Sequence, residues 1–185
     1  MDKIDSLDKI NALVSDIRSL RKGYLTNFFL DRKKHSLWIE KGELFYVSFP
    51  DCYFLLHLTN SVNNLFFITT SSQQLAENLK AFLPIFAEQM VVDIVGDAKI
   101  VDLKDVFVEQ GFSVYEQLYR MNRIGTLEFK EIDTPNVCFA EDVDAQVVLD
   151  MLHSYFDPLS EQLPSYEEIL YIRKQVRCMD SLSLN

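Results

Sequence analysis

LFFITTSSQQLAENLKAFL, Leu65 to Leu83, changes its period halfway, and that change decides the class of fold. Leu65–Thr70 is aromatic, β-branched and almost uninterrupted by polar side chains. Such a run suits a strand covered on both faces, so it is expected to lie centrally in a sheet. From Ser71 the period becomes helical. Leu75, Leu79, Phe82, Leu83 and Phe86 fall on one face, Ser71 or Ser72 can cap the start, and Pro84 is expected to kink or shorten the helix late.

Upstream, SLDKINALVSDIRSL reads as an amphipathic helix. Ser6 is its cap, Leu7, Ile10, Leu13, Val14, Ile17 and Leu20 its apolar face, and Gly23 stands just past its end. LTNFFLD, SLWIEKGELFYVSF, YFLLHLT and LFFITT read as strands of an antiparallel meander, with EKGE, FPDC and TNSVNN as turns and DRKKH (Asp31–His35) as a solvated loop. Downstream, MVVDIVGD reads as a short strand. DLKDVFVEQGF reads as a short helix capped by Asp102 and ended by Gly111, and SVYEQLYRMNR as a strand. The expectation is an α/β (α+β) fold: a mixed, mostly antiparallel sheet flanked by helices and followed by a helical tail. Residues 1–125 form the first unit, 126–136 a linker and 137–185 a second unit.

That second unit begins with the short strand NVCFA and a helix bearing Val143, Val147, Val148, Met151, Leu152 and Tyr155 on its apolar face. FDPLSEQLP interrupts it. PSYEEILYIRKQV then starts a further helix, with Pro164 at or before its first turn, Ser165 as a candidate cap, and Glu167 and Glu168 near the positive end of the dipole.

Composition narrows the function classes. Hydrophobic residues make up 48% and aromatics 12%, including fourteen Phe and eight Tyr, enough for a real core. No apolar run approaches membrane-spanning length, and MDKIDSLDKI has no apolar signal region, so a soluble cytoplasmic protein is expected. The net charge is −10, and no Lys or Arg occurs from Ala140 to Ile172. Nucleic-acid binding rests on phosphate neutralisation and is not expected of such a chain. Cys52, Cys138 and Cys178 are odd in number and far apart, and His35, His57 and His153 are scattered, so neither a disulfide framework nor a metal site is expected.

The order from LFFITT to YRMNR resembles the acetyltransferase fold of the GNAT superfamily (Gcn5-related N-acetyltransferases), most closely in VFVEQGFSVYEQLYRMNR. FAEDVDAQVVLDMLHSYFDPLSEQLPSYEEI resembles the start of another such domain. Together they are similar to bacterial two-unit proteins in which a cofactor-free half precedes a catalytic half. The resemblance implies acyl transfer from acetyl-CoA to an amine, with acetyl-CoA as cofactor. It also implies that the second unit stops before its own central strand.

Members of the family hold the cofactor's pyrophosphate on a turn of pattern [QR]xxGx[GA] after the central strand, where glycine lets backbone N–H groups approach closely. Here that turn is Thr69–Gln74, without glycine, which puts catalysis in doubt. Thr70, Ser71 and Ser72 are the residues left to contact an anion. The resemblance places the acceptor entrance near Tyr155, Phe156 and Asp157. A Tyr near Tyr115 or Tyr119 can serve as general acid in related enzymes; here aromatic packing is the expectation for both. Glu141, Asp142, Asp144, Glu167 and Glu168 already have capping roles, and His153 lacks a nucleophile motif to serve. The competing class is a non-catalytic interaction module that forms a homodimer through the apolar stripes of the tail.

Overall fold

The computed structural model describes residues 1–60, 62–86, 88–96, 100–117, 141–157, 159 and 162–171. The chain divides into two compact units, Met1–Val114 and Tyr115–Asn185. The boundary expected at 125 and the linker 126–136 lie outside the described residues.

In the first unit the order is β1 (Asp2–Lys3), α1 (Leu7–Ser19), β2 (Leu25–Thr26), α2 (Arg32–Lys41), β3 (Leu44–Phe49), β4 (Cys52–His57), β5 (Asn63–Thr69), α3 (Ser72–Phe82), β6 (Met90–Val91) and α4 (Ile100–Glu109). The fold is mixed α/β: a six-stranded, mostly antiparallel sheet with flanking helices. Strands β1, β3, β4, β5 and β2 follow one another across it, and β6 adds a parallel pairing to β5.

The meander β3–β4–β5 is the expected one, and β5 is central. Its register sets Phe54 opposite Phe67, Leu55 opposite Phe66 and Leu56 opposite Leu65. Successive side chains therefore enter opposite layers. Leu55, Phe66 and Ile68 join Ile10, Leu13, Ile17 and Trp38 of α1 and α2. Phe54, Leu56, Leu65 and Phe67 join Leu75, Leu79, Phe82 and Phe107 of α3 and α4. Helices on both faces are the physical reason that LFFITT is apolar without alternation.

Helix α1 forms as its period indicates, with the Ser6 hydroxyl accepting from Lys9 N–H at 3.3 Å. Its end differs from expectation. Gly23 does not stop it; Arg21, at φ 53°, takes the left-handed position. Gly23, at φ +122°, is instead needed for a close approach, since a Cβ there would overlap the Thr70 carbonyl oxygen. In α3 Ser71 is the cap, accepting from Gln74 N–H at 3.1 Å, and the helix closes just before Pro84. Helix α4 starts at Ile100, ahead of the reading, which moves Asp102 from cap to first turn. Gly111 (φ +93°) ends α4, with Phe112 N–H returning to the Phe107 carbonyl at 3.1 Å.

Two readings are corrected. DRKKH is not a loop and SLWIEKG is not a strand: Arg32–Lys41 is a helix. Asp31 caps it by accepting from Lys33 and Lys34 N–H at 2.9 and 3.0 Å, and Gly42 ends it at φ 72°. Buried His35 and Trp38, three residues apart, form the helical face that overrides the β preference of Trp38 and Ile39. LTNFFLD pairs only at Leu25–Thr26, because the next residue, Asn27, meets β5 through its side chain.

In the second unit Asp142–Asp144 is a 3-10 turn with a Glu141–Asp144 capping box, and α5 spans Ala145–Tyr155. Residues 166–171 are helical, and Ser165 with Glu168 forms a second capping box at 3.3 and 2.7 Å. Residues 113–117 carry neither helix nor strand, and the rest of SVYEQLYRMNR, like NVCFA, lies outside the described residues.

Candidate functional site

Strand β5 meets β6 only through Asn63–Met90 and Asn64–Val91. Beyond that point the β5 edge needs another partner, because buried backbone N–H and C=O groups are costly to leave unbonded. The chain supplies one from its own N-terminal part. Leu25 and Thr26 pair antiparallel with Thr69 and Ile68. Thr26 Oγ1 donates to the Phe67 carbonyl at 2.5 Å and accepts from Phe28 N–H at 3.0 Å.

Asn27 fills the remainder. Its amide nitrogen donates to the Leu65 carbonyl (3.2 Å) and the Asp93 carbonyl (3.0 Å), while its Oδ1 accepts from Phe67 N–H at 2.7 Å. One side chain thus replaces a strand where β5 and the segment after β6 part. An extended ligand adding itself to this edge would need the groups that Leu25–Asn27 already use.

At the β5–α3 turn lies an open cleft of about 430 Å³, lined by Tyr24, Leu25, Thr70, Ser71, Ser72, Asp102 and Leu103. The structure brings the three sequence candidates, Thr70, Ser71 and Ser72, together here. The donors at this turn are partly committed: Thr70 N–H goes to the Asp51 carbonyl at 3.3 Å, and Gln74 N–H goes to the Ser71 hydroxyl that caps α3. Asp102 adds a carboxylate to the wall. The positive end of α3 favours an anion, but a nearby carboxylate opposes one, and no glycine lets the backbone come close. Replacing Ser71 with Ala is expected to cost the first unit about 1 kcal/mol through the lost cap. Denaturant melts of Ser71→Ala and the parent check this, and an unchanged midpoint would refute the capping role.

A second constellation was missed because its centre, His35 and Trp38, lies on helix α2, whose residues read in sequence as a loop and a strand. His35 packs 4.6 Å from the Phe28 ring and 4.8 Å from Trp38, and Trp38 stacks on His57 at 3.7 Å and 10°. His57 Nε2 lies 3.2 Å from Glu43 Oε2. His35 Nδ1 accepts from Asp31 N–H at 2.9 Å, and burial lowers the pKa of its ring to about 4. This is a neutral, buried histidine within aromatic packing. Among the described residues no group of three His, Cys, Asp or Glu side chains is placed to hold a metal ion. Cys52 is a free, buried thiol whose pKa burial pushes up to about 12; Cys138 and Cys178 lie outside the described residues.

In the second unit Tyr155 and Phe156 are exposed, at the end of α5. Asp157 accepts from the Tyr115 hydroxyl, which lowers the Asp157 pKa and raises that of Tyr115. The packing expected of Tyr115 is corrected by this contact: its ring is exposed and its hydroxyl is what is engaged. Tyr119 lies outside the described residues, and His153 is exposed. No described helix is long and apolar enough to cross a membrane. Compared with known proteins, the chain matches no protein-family model, no curated protein and no solved structure.

Among the cleft residues, Tyr24, Leu25, Asp102 and Leu103 were not singled out in advance as site residues, nor was Asn27. Asn27 carried one usable signal: an amide inside the aromatic run LTNFFL is out of place in a plain strand.

Proposed function

We propose that the first unit is an acetyltransferase-like domain of the GNAT type that has lost its acetyl-CoA site. The family's reaction, acyl transfer from acetyl-CoA to an amine, is then not performed by this unit, which acts as a non-catalytic scaffold. The order of elements supports the family reading: a helix pair, an antiparallel meander, then a helix leading to a parallel strand and a further helix.

The β5–α3 turn carries the loss. Where the family's pattern has glycines, this turn has Thr70, Ser71 and Ser72, with one N–H and one hydroxyl already bonded and Asp102 in the cleft wall. Closure of the adjoining β5 edge by Leu25–Asn27 points the same way.

Thermal unfolding with millimolar acetyl-CoA tests the reading, and the melting temperature is expected to stay where it is. A folded-state ligand at a hundred times its Kd would add about 2.7 kcal/mol, a rise of several degrees. Such a rise would overturn the loss of the site.

A further inference from the structure

We propose that the outer face of α5 is a docking surface for a basic amphipathic helix of another protein. The inference concerns the second unit alone and does not depend on the reading of the first. Val143, Val147, Met151 and Tyr155 recur every four residues and are 82%, 67%, 50% and 79% exposed. This is the apolar face the sequence identifies, yet only its other members, Val148 and Leu152, are half-buried. The covered side is completed by Ala145 and Leu149.

Helix α5 is thus apolar on two sides and covered on one. A helix that is apolar all round is ordinarily buried all round. The open stripe is a ridge of four-residue spacing roughly 18 Å long, at 1.5 Å rise per residue. Two to three turns of a partner helix match that length.

Charge selects the partner. Asp144 and Asp150 lie three residues to either side of Val147, which at helical pitch sets one on each flank of the stripe. Among the described residues each carboxylate accepts one hydrogen bond from another residue, Asp144 from Glu141 N–H and Asp150 from the Gln146 amide, and a carboxylate has acceptor capacity beyond that. No Lys or Arg occurs from Ala140 to Ile172, so neither carboxylate has a cation beside it on its own helix. A second copy of the chain would bring the same carboxylates face to face, and an anionic lipid surface would be repelled. A helix with an apolar ridge bordered by Lys or Arg satisfies both the ridge and its flanks.

The test uses the full chain and a labelled peptide of about five turns, leucines on one helical face and lysines on the other, read by fluorescence anisotropy. Binding is expected, and about tenfold weaker binding in Val147→Ser/Met151→Ser. Both residues are exposed, so the fold should tolerate the change; Val143→Ser/Tyr155→Ser carries the same comparison if that variant unfolds. A glutamate version of the peptide is expected not to bind. Equal binding by parent and both variants would overturn the proposal, since charge alone would then explain it. Equal binding of the glutamate peptide would overturn it too, as would a dimer of the free chain that dissociates in the serine variants.

Discussion

Asn27→Leu is expected to destabilise the first unit by about 3 kcal/mol, because two buried backbone groups and one part-buried group lose this amide at once. Phe67 N–H and the carbonyls of Leu65 and Asp93 all bond to this one amide, which is 8% exposed. Leucine has similar volume, so the loss is one of hydrogen bonding rather than packing. Asn27→Asp tests the same point from the other side. It keeps an acceptor for Phe67 N–H, loses both donations and adds a charge beside two carbonyls. The chain has a single tryptophan, Trp38, buried in the first unit, so its fluorescence reports this unfolding without contribution from the second unit. A loss below about 1 kcal/mol for Asn27→Leu would mean that Asn27 does not hold the β5 edge together.

Acid is expected to weaken the same unit through His35. Its ordinary pKa of 6.5 falls to about 4 in the folded chain, mainly because burial penalises the charged ring. Between these values the unfolded state binds the proton more readily than the folded state, so stability falls as pH drops from about 6.5 towards 4. Below that window the term is constant. A shift of this size corresponds to at most about 3 kcal/mol. The charges around the ring do not reverse the sign. Asp31 favours the protonated form, while Lys34 and His57 oppose it. Protonation would also remove Nδ1 as acceptor for Asp31 N–H. His35→Phe keeps an aromatic ring between Phe28 and Trp38 but cannot titrate. Trp38-monitored denaturation at pH 7 and pH 4.5 should show a larger acid loss in the parent than in His35→Phe. Equal losses would show that His35 is not the group responsible.

Legibility in the sequence followed the range of the interactions. α1, α3 and the core of the meander were readable because local period, cap and turn agree: Ser6 and Ser71 cap as expected, and Pro50–Asp51 turns β3 into β4. Helix α2 was not readable. Trp38 and Ile39 favour strands locally, and only their burial against α1 and the sheet makes a helix the better solution. The strand in LTNFFLD was legible but not its short extent, and Asn27 showed only as an amide out of place there, since the groups it bonds on β5 lie about forty residues away. The cleft divided along the same line. Thr70, Ser71 and Ser72 follow from the strand-to-helix turn, whereas Tyr24, Leu25 and Asp102 reach it only through the tertiary fold.

The closure of β5 also bears on how the chain is made. Asn27 waits for Leu65 and Phe67, 38 and 40 residues later, and for Asp93, 66 residues later. Contacts so distant in sequence form late, after the local helices and hairpins. Until residues 90–93 have emerged during synthesis, β5 lacks its β6 partner at Asn63 and Asn64, and the Asn27 amide lacks its Asp93 acceptor. The amide that completes the native sheet is thus also a guard of the nascent chain: once in place, it denies that edge to neighbouring polypeptides.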